Sequence, residues 1–329
     1  MIKNILIFRT DRIGDLLLTC PSIKTIKEYF PDSNLTVVAS YRNFNYAKTF
    51  EFIDNVYEFP NKGLLKKIKF YYKLRKKNFD YIFLFDGKDR SLLLTCLLNS
   101  PYKAAKIVNK KQLYLCKLFK VKSSLDNFGV DLNNVHQKLF NLSGLDKKIK
   151  NFDYLLQKKD NLFASNIPIN EYIQVHLDEK WFTSSYIKSY EDINPSFDQF
   201  NNFINTLSKK YNVLISTGLI SNPITERLLI ESKDKISDKI YKYNLSENII
   251  IVYQPTFVDL ESILRKAKIL ISCHGALTHV AASFNIKIID IVEKSSDELV
   301  KRYSLYIKNY YKVYRDNFKR LVQNINQKI

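Results

Sequence analysis

The chain has 329 residues, 46% of them apolar and including 22 Tyr and 22 Phe, enough for two α/β domains or one large one. No apolar run approaches the length of a membrane-spanning helix. The segment MIKNILIFRTDR lacks the extended apolar region of a secretory leader. The net charge of +19 invites a nucleic-acid or membrane partner, but the Lys, Asn, Ile and Tyr bias is also what an AT-rich genome imposes. Cys20, Cys96, Cys116 and Cys273 have no CxxC or metal-ligand spacing. A reduced, cytoplasmic protein without a metal is the expectation.

Taken in order, strand and helix signals alternate. Residues 5–8 (ILIF) read as a buried strand, residues 9–15 as a polar elbow, and 16–30 as a helix holding Pro21 near its first turns, where a kink is tolerable. Strands follow at 35–39, 56–59 and 81–85, with helices at 44–50, 64–77 and 91–98. Continuous apolar runs such as YIFLF suit parallel strands covered on both faces. Beyond residue 104 the pattern loosens, with one more helix at 135–142. The segment 62–77, KGLLKKIKFYYKLRKK, has the character of a basic amphipathic helix at an anionic membrane surface. It is equally an ordinary surface helix in a lysine-rich protein.

A polar stretch at 147–170 marks a domain boundary, giving domains 1–160 and 161–329. The second alternation has strands at 172–176, 213–216, 249–252, 269–272 and 286–291. Its helices are at 197–211, 224–231, 260–266 and 278–284, with 297–324 read as helical to the end. Two doubly wound parallel sheets are the implied α/β architecture, with a ligand cleft between them.

Three places carry chemistry. In the first elbow, Asp15 follows Gly14 at a helix start, where it either caps the helix or faces a substrate. Arg9 and Arg12 stand beside it and either bind an anionic acceptor or decorate the turn. In the second half, His176 precedes Lys180 and Trp181, the only tryptophan. The strand at 269–272 then ends in His274-Gly275-Ala276, with Thr278 and His279 at the next helix start. Such a loop cradles phosphate, because backbone N–H groups and the helix dipole favour anions. His274 and His279 are five apart, which is not the same-face spacing of a helical zinc pair.

Residues 5–21 (ILIFRTDRIGDLLLTCP) together with FPDSNLTVVAS resemble the N-terminus of glycosyltransferase family nine, the ADP-heptose:lipopolysaccharide heptosyltransferases. The match covers Arg9, Ile13-Gly14-Asp15, Leu17, Thr19 and Pro21. The second match, residues 267–291 with His279-Val-Ala281-Ala282, resembles that family's nucleotide-binding strand–loop–helix. Lys180 looks like its phosphate-contacting lysine. The resemblance spans most of the chain. It implies a GT-B fold with two Rossmann-like domains, the acceptor on the first and the nucleotide-sugar on the second.

The implied chemistry is inverting transfer without a metal or other cofactor, the co-substrate being an ADP-sugar or related nucleotide-sugar. Asp15 is the implied base. Arg9, Thr10, Arg12 and Gly14 are assigned to the acceptor. Lys180, His176, Thr217, Gly218, Glu226, His274, Gly275, Ala276, Thr278 and His279 are assigned to the donor. The implied acceptor is a lipid-linked or lipopolysaccharide-type saccharide, which places a peripheral contact with the inner face of the membrane among the expectations. One departure stands out: His274-Gly275-Ala276 replaces the family's Asp-Thr/Ser-Gly, so the resemblance does not extend to the donor sugar. The alternatives are a non-catalytic GT-B-like or basic nucleic-acid- or glycan-binding protein, and a sugar-nucleotide epimerase. No RNP-like motif, zinc finger or helix-turn-helix supports nucleic-acid binding.

Overall fold

A computed structural model describes residues 2–126, 130–182, 190, 193–244 and 246–329. The chain divides into two compact units, Met1–Tyr154 and Leu155–Ile329.

The first unit runs β1 (Asn4–Arg9), α1 (Ile13–Tyr29), β2 (Asn34–Ala39), α2 (Phe44–Ala47), β3 (Asn55–Glu58) and α3 (Leu64–Arg75). It continues β4 (Tyr81–Leu84), α4 (Asp89–Leu97), β5 (Tyr102–Ile107), α5 (Lys110–Leu118), β6 (Lys122–Leu125) and α6 (Leu132–Leu142). Its six strands lie in the order β3-β2-β1-β4-β5-β6, all parallel. Ile5, Leu6, Ile7 and Phe8 of the central strand are fully buried, as the unbroken apolar run requires. The order reverses between β1 and β4, and the carboxyl ends of those two strands are where such a sheet opens a ligand crevice.

The second unit runs β7 (Tyr172–Leu177), α7 (Phe197–Ser208), β8 (Asn212–Thr217), α8 (Pro223–Ile230), β9 (Ser232–Ser237), β10 (Ile240–Tyr243) and β11 (Ile249–Val252). Then come α9 (Phe257–Leu264), β12 (Ala267–Cys273), α10 (Ala276–Ser283), β13 (Lys287–Val292), α11 (Asp297–Ser304), β14 (Tyr310–Tyr314) and α12 (Phe318–Asn326). The sheet order is β14-β13-β12-β7-β8-β11-β10-β9. Its reversal point lies between β7 and β12. Register there sets His176, Ser272 and Asp290 side by side on three adjacent strands.

Several expectations need correction. The segment 297–324 is not one helix: Tyr310–Tyr314 pairs with β13 as an edge strand, as the aromatic and β-branched YYKVY favours. The loosened region after residue 104 hides β5, α5 and β6. The second sheet is not wholly parallel, since β10 pairs antiparallel with both β9 and β11. Helix α1 starts at Ile13, so Pro21 sits in its interior rather than its first turns.

Candidate active site

In the first unit, the loop after β1 is latched by its neighbours. Thr10 donates from its backbone N–H and hydroxyl to Asp86 Oδ2, at 3.1 and 2.6 Å. Asp86 follows β4 and also accepts from Ser91. Ser40, after β2, donates to the Asp11 carbonyl, and Asn43 donates to the Arg9 carbonyl. Strand ends that converge at the reversal point therefore hold one turn in one shape.

Arg9 is the organiser of that turn rather than a ligand group. Its side chain is 2% exposed. It donates to the Phe85 carbonyl at 2.8 Å, the Asp15 carbonyl at 2.8 Å and Asp11 Oδ2 at 3.2 Å, and lies 3.5 Å from Asp15 Oδ1. Thr10 is likewise buried. Arg9 does not line the cavity beside it, whereas Thr10 borders that cavity together with Asp15. Arg12 is exposed, and Gly14 lies in the first turn of α1.

Asp15 closes the helix start and still borders open space. Its Oδ2 accepts the Arg12 backbone N–H at 3.2 Å, closing the helix start. Its side chain nevertheless remains 38% exposed and lines a cavity of about 420 Å³ with Asp11, Arg12, Tyr41, Arg42, Lys88 and Arg90 among its walls. Four cations and two carboxylates line this cavity, and the excess of positive charge favours anions. Sequence reasoning missed Asp11, Arg42, Lys88 and Arg90. Burial raises the Asp11 pKa; Arg9 and a 3.1 Å contact with Lys88 pull it down, while Asp86 and Asp15 add to the rise.

In the second unit, Lys180 follows β7 and reaches across the reversal point to the loop after β12. Its ammonium lies 2.9 Å from Asp178 Oδ2 and donates to the His274 and Cys273 carbonyls at 3.2 and 3.5 Å. Burial alone would lower its pKa, but the Asp178 carboxylate outweighs that and holds it above the ordinary lysine value. Lys180 therefore stays charged. Gly275 is needed for this approach, since a Cβ there would lie 2.4 Å from Lys180 Nζ.

A second buried acid organises the loop from below. Asp290, with its side chain fully buried, accepts from His274 Nδ1 at 2.6 Å, from the Tyr310 hydroxyl at 2.7 Å and from Thr278 Oγ1 at 3.1 Å. The imidazole at the family's usual acid position is thus tied to Asp290, and the lysine takes its acid from Asp178. His279 is buried, with Nδ1 3.0 Å from the Tyr306 hydroxyl. Lys180, His274 and Cys273 line a pocket of about 180 Å³ with Tyr303 and Arg315. Helix α10 begins at Ala276; the Gly275 N–H before it donates to Thr278 Oγ1 at 3.2 Å and the Thr278 N–H to the Gly275 carbonyl at 3.1 Å, leaving the N–H groups between them without helical acceptors.

Other donor candidates lie apart from this loop or support it. His176 is buried against Ser216, at 3.0 Å, and burial chiefly drives its pKa down to about 4, so it is neutral and internal rather than a ligand contact. Thr217 is buried and accepts the Gln254 N–H at 2.8 Å. Gly218 gives Asp178 room, a Cβ there lying 3.0 Å from that of Asp178. Glu226 is exposed in the first turn of α8. Asp290 was missed because its partners, His274, Thr278 and Tyr310, lie on other elements. Asp178 was missed although Lys180 is two residues away, because a neighbouring acid and lysine carry no signal until the fold turns them together. Among the described residues, no group of three His, Cys, Asp or Glu is arranged to hold a metal ion.

No protein-family model matches the sequence, and no curated protein matches it. Solved structures do share the fold. The E. coli heptosyltransferase WaaC with ADP superposes with a TM-score of 0.68 at 15% identity, over 99% of this chain and 100% of that one. A glycosyl transferase of family 9 from Veillonella parvula gives 0.66 at 13% identity, over 99% and 90%. A UDP-GlcNAc 2-epimerase from Methanocaldococcus jannaschii gives a lower 0.57 at 13% identity, over 99% and 92%. The architecture is the GT-B one of the heptosyltransferases.

Proposed function

We propose that this protein is an inverting glycosyltransferase that moves a heptose or related sugar from a nucleoside-diphosphate donor to an anionic, lipid-linked saccharide of the lipopolysaccharide type. The acceptor binds in the cavity of the first unit and the donor on the Lys180–His274 loop of the second. Asp15 takes the proton of the acceptor hydroxyl. The freed oxygen attacks the anomeric carbon as its bond to the diphosphate breaks. Charge developing on the leaving diphosphate meets Lys180 and the N–H groups that open α10. No metal or other cofactor takes part, and an ADP-sugar is the first donor to try, given the ADP bound by WaaC.

The observation that carries this reading is Asp15 itself: a carboxylate fixed by the turn, with its side chain 38% exposed in a cation-lined cavity. Arg12, Arg42, Lys88 and Arg90 suit an acceptor bearing carboxylates or phosphates. The test is a thermal-shift screen of ADP-, GDP-, UDP- and CMP-sugars, because a ligand bound by the native state raises its stability by mass action. One nucleotide series is expected to stabilise the protein; no stabilisation by any of them contradicts the reading.

A further inference from the structure

Helices α3, α4 and α5 carry chemistry that glycosyl transfer does not use. Each follows a crossover in the same direction along the first sheet (β3 to β4, β4 to β5, β5 to β6), so right-handed connections put all three on one face. One apolar core confirms it, joining Phe70 and Leu74 of α3, Leu92 of α4 and Cys116 of α5. The Tyr71 hydroxyl donates to the Leu97 carbonyl, linking α3 to α4.

Their outer surface is apolar where a solvated face should be polar. Of the 26 exposed large hydrophobic residues among the described residues, nine lie on these three helices, which are 30 residues in all. Leu64 and Leu65 are each 74% exposed and Tyr114 70% exposed. At roughly 100° per residue, Leu64, Leu65, Ile68 and Tyr72 fall on one stripe of α3. The buried Phe70 and Leu74 fall on the opposite side. Helix α3 thus has two apolar stripes, one buried in the core and one facing outward.

The charge around that stripe has a single sign. Residues 62–77 hold eight Lys and Arg and no Asp or Glu; residues 102–122 hold seven and none. Solvated helices in mixed-charge proteins interleave both signs. Helix α4 adds one exposed acid, Asp89, whose carboxylate accepts from Gln112 of α5. The leucines and tyrosines of α3 and α5 are otherwise flanked by cations, complementary to a surface that is anionic outside and apolar just beneath. The stripe also starts three residues after Asn61, which lines the Asp15 cavity, and Arg90 of α4 lines it too.

We propose that the α3–α4–α5 face docks on an anionic lipid bilayer, with the Leu64–Leu65–Tyr72 stripe inserted among the acyl chains and the lysines on the headgroups. The benefit to an acceptor entering the cavity beside it rests on the transferase reading; the docking itself does not.

The test is co-sedimentation of the full chain with vesicles of phosphatidylcholine alone or with about one-third phosphatidylglycerol. Binding at least about ten-fold tighter to the anionic vesicles is expected. Replacing Lys66, Lys67 and Lys69 together by Gln should weaken it by roughly five-fold per lysine. The triple change Leu64→Ser, Leu65→Ser and Tyr72→Ser should weaken it by about ten-fold or more. All six of these positions are exposed, so circular dichroism should be unchanged in each variant. Since Trp181 is fully buried, Leu65→Trp supplies a surface reporter whose emission should shift to the blue on anionic vesicles only.

Equal binding to both vesicle types, no binding, or no emission shift overturns the proposal. So does tighter binding to RNA that the Leu and Tyr changes leave intact, or self-association of the chain that those changes abolish. Stabilisation by a nucleotide-sugar with no vesicle binding would remove the docking face and leave the transferase reading standing. Vesicle binding without nucleotide-sugar stabilisation would do the reverse.

Discussion

Gly275 and Lys180 are matched by exclusion: a Cβ on Gly275 would lie 2.4 Å from the lysine nitrogen. That nitrogen is the end of a flexible side chain, so Gly275→Ala should fold, at a cost of about 1 kcal/mol or less. The ammonium must nevertheless leave the His274 carbonyl it now contacts at 3.2 Å. Affinity for a nucleoside diphosphate, measured by calorimetry, should fall by about ten-fold. Unchanged affinity would mean that the lysine does not serve the diphosphate.

Asp290 anchors the same loop from beneath. Asp290→Ala leaves the His274 imidazole, the Thr278 hydroxyl and the Tyr310 hydroxyl without the carboxylate they now share. A loss of about 3 kcal/mol in unfolding free energy is expected, in the range for orphaned buried polar groups. Urea denaturation measures it. A loss well under 1 kcal/mol would mean that the network is not a support.

His176 makes stability depend on pH. Burial holds its folded pKa near 4, below the ordinary 6.5. Between those values the unfolded chain binds a proton that the folded chain refuses, so stability is fully present above about pH 6.5 and is lost as pH falls towards 4. The difference amounts to about 3 kcal/mol. His176→Gln should flatten that part of the urea-derived stability curve between pH 7 and 4.5. A slope equal to that of the unaltered protein would place the titration elsewhere.

Much of this molecule was legible in the residues. The continuous apolar runs of β1, β4 and β12 announce parallel strands covered on both faces. The turn holding Asp15 and the loop from His274 to His279 could be found because chemistry-bearing side chains cluster within a few residues. What failed was everything set by neighbours in space. Strand β5 was hidden because lysines interrupt it, and Lys106 is paired with Asp126, after β6. Arg9 read as a ligand group because its acceptors, such as the Phe85 carbonyl, belong to another strand. Asp178 sits two residues from Lys180, yet only the fold brings the ammonium back onto it. Asp290 serves a histidine 16 positions earlier, and strand register alone makes them neighbours.

The central claim concerns Asp15, and one measurement reaches it most directly. Sugar transfer and donor binding are compared in the unaltered protein and in Asp15→Asn, using whichever nucleotide-sugar stabilises the fold. Asn retains the oxygen that accepts the Arg12 N–H, so the turn should hold while the base is lost. Transfer should fall by at least about 100-fold, the usual worth of a positioned base, with donor affinity unchanged within about two-fold. Transfer at an undiminished rate would contradict the account.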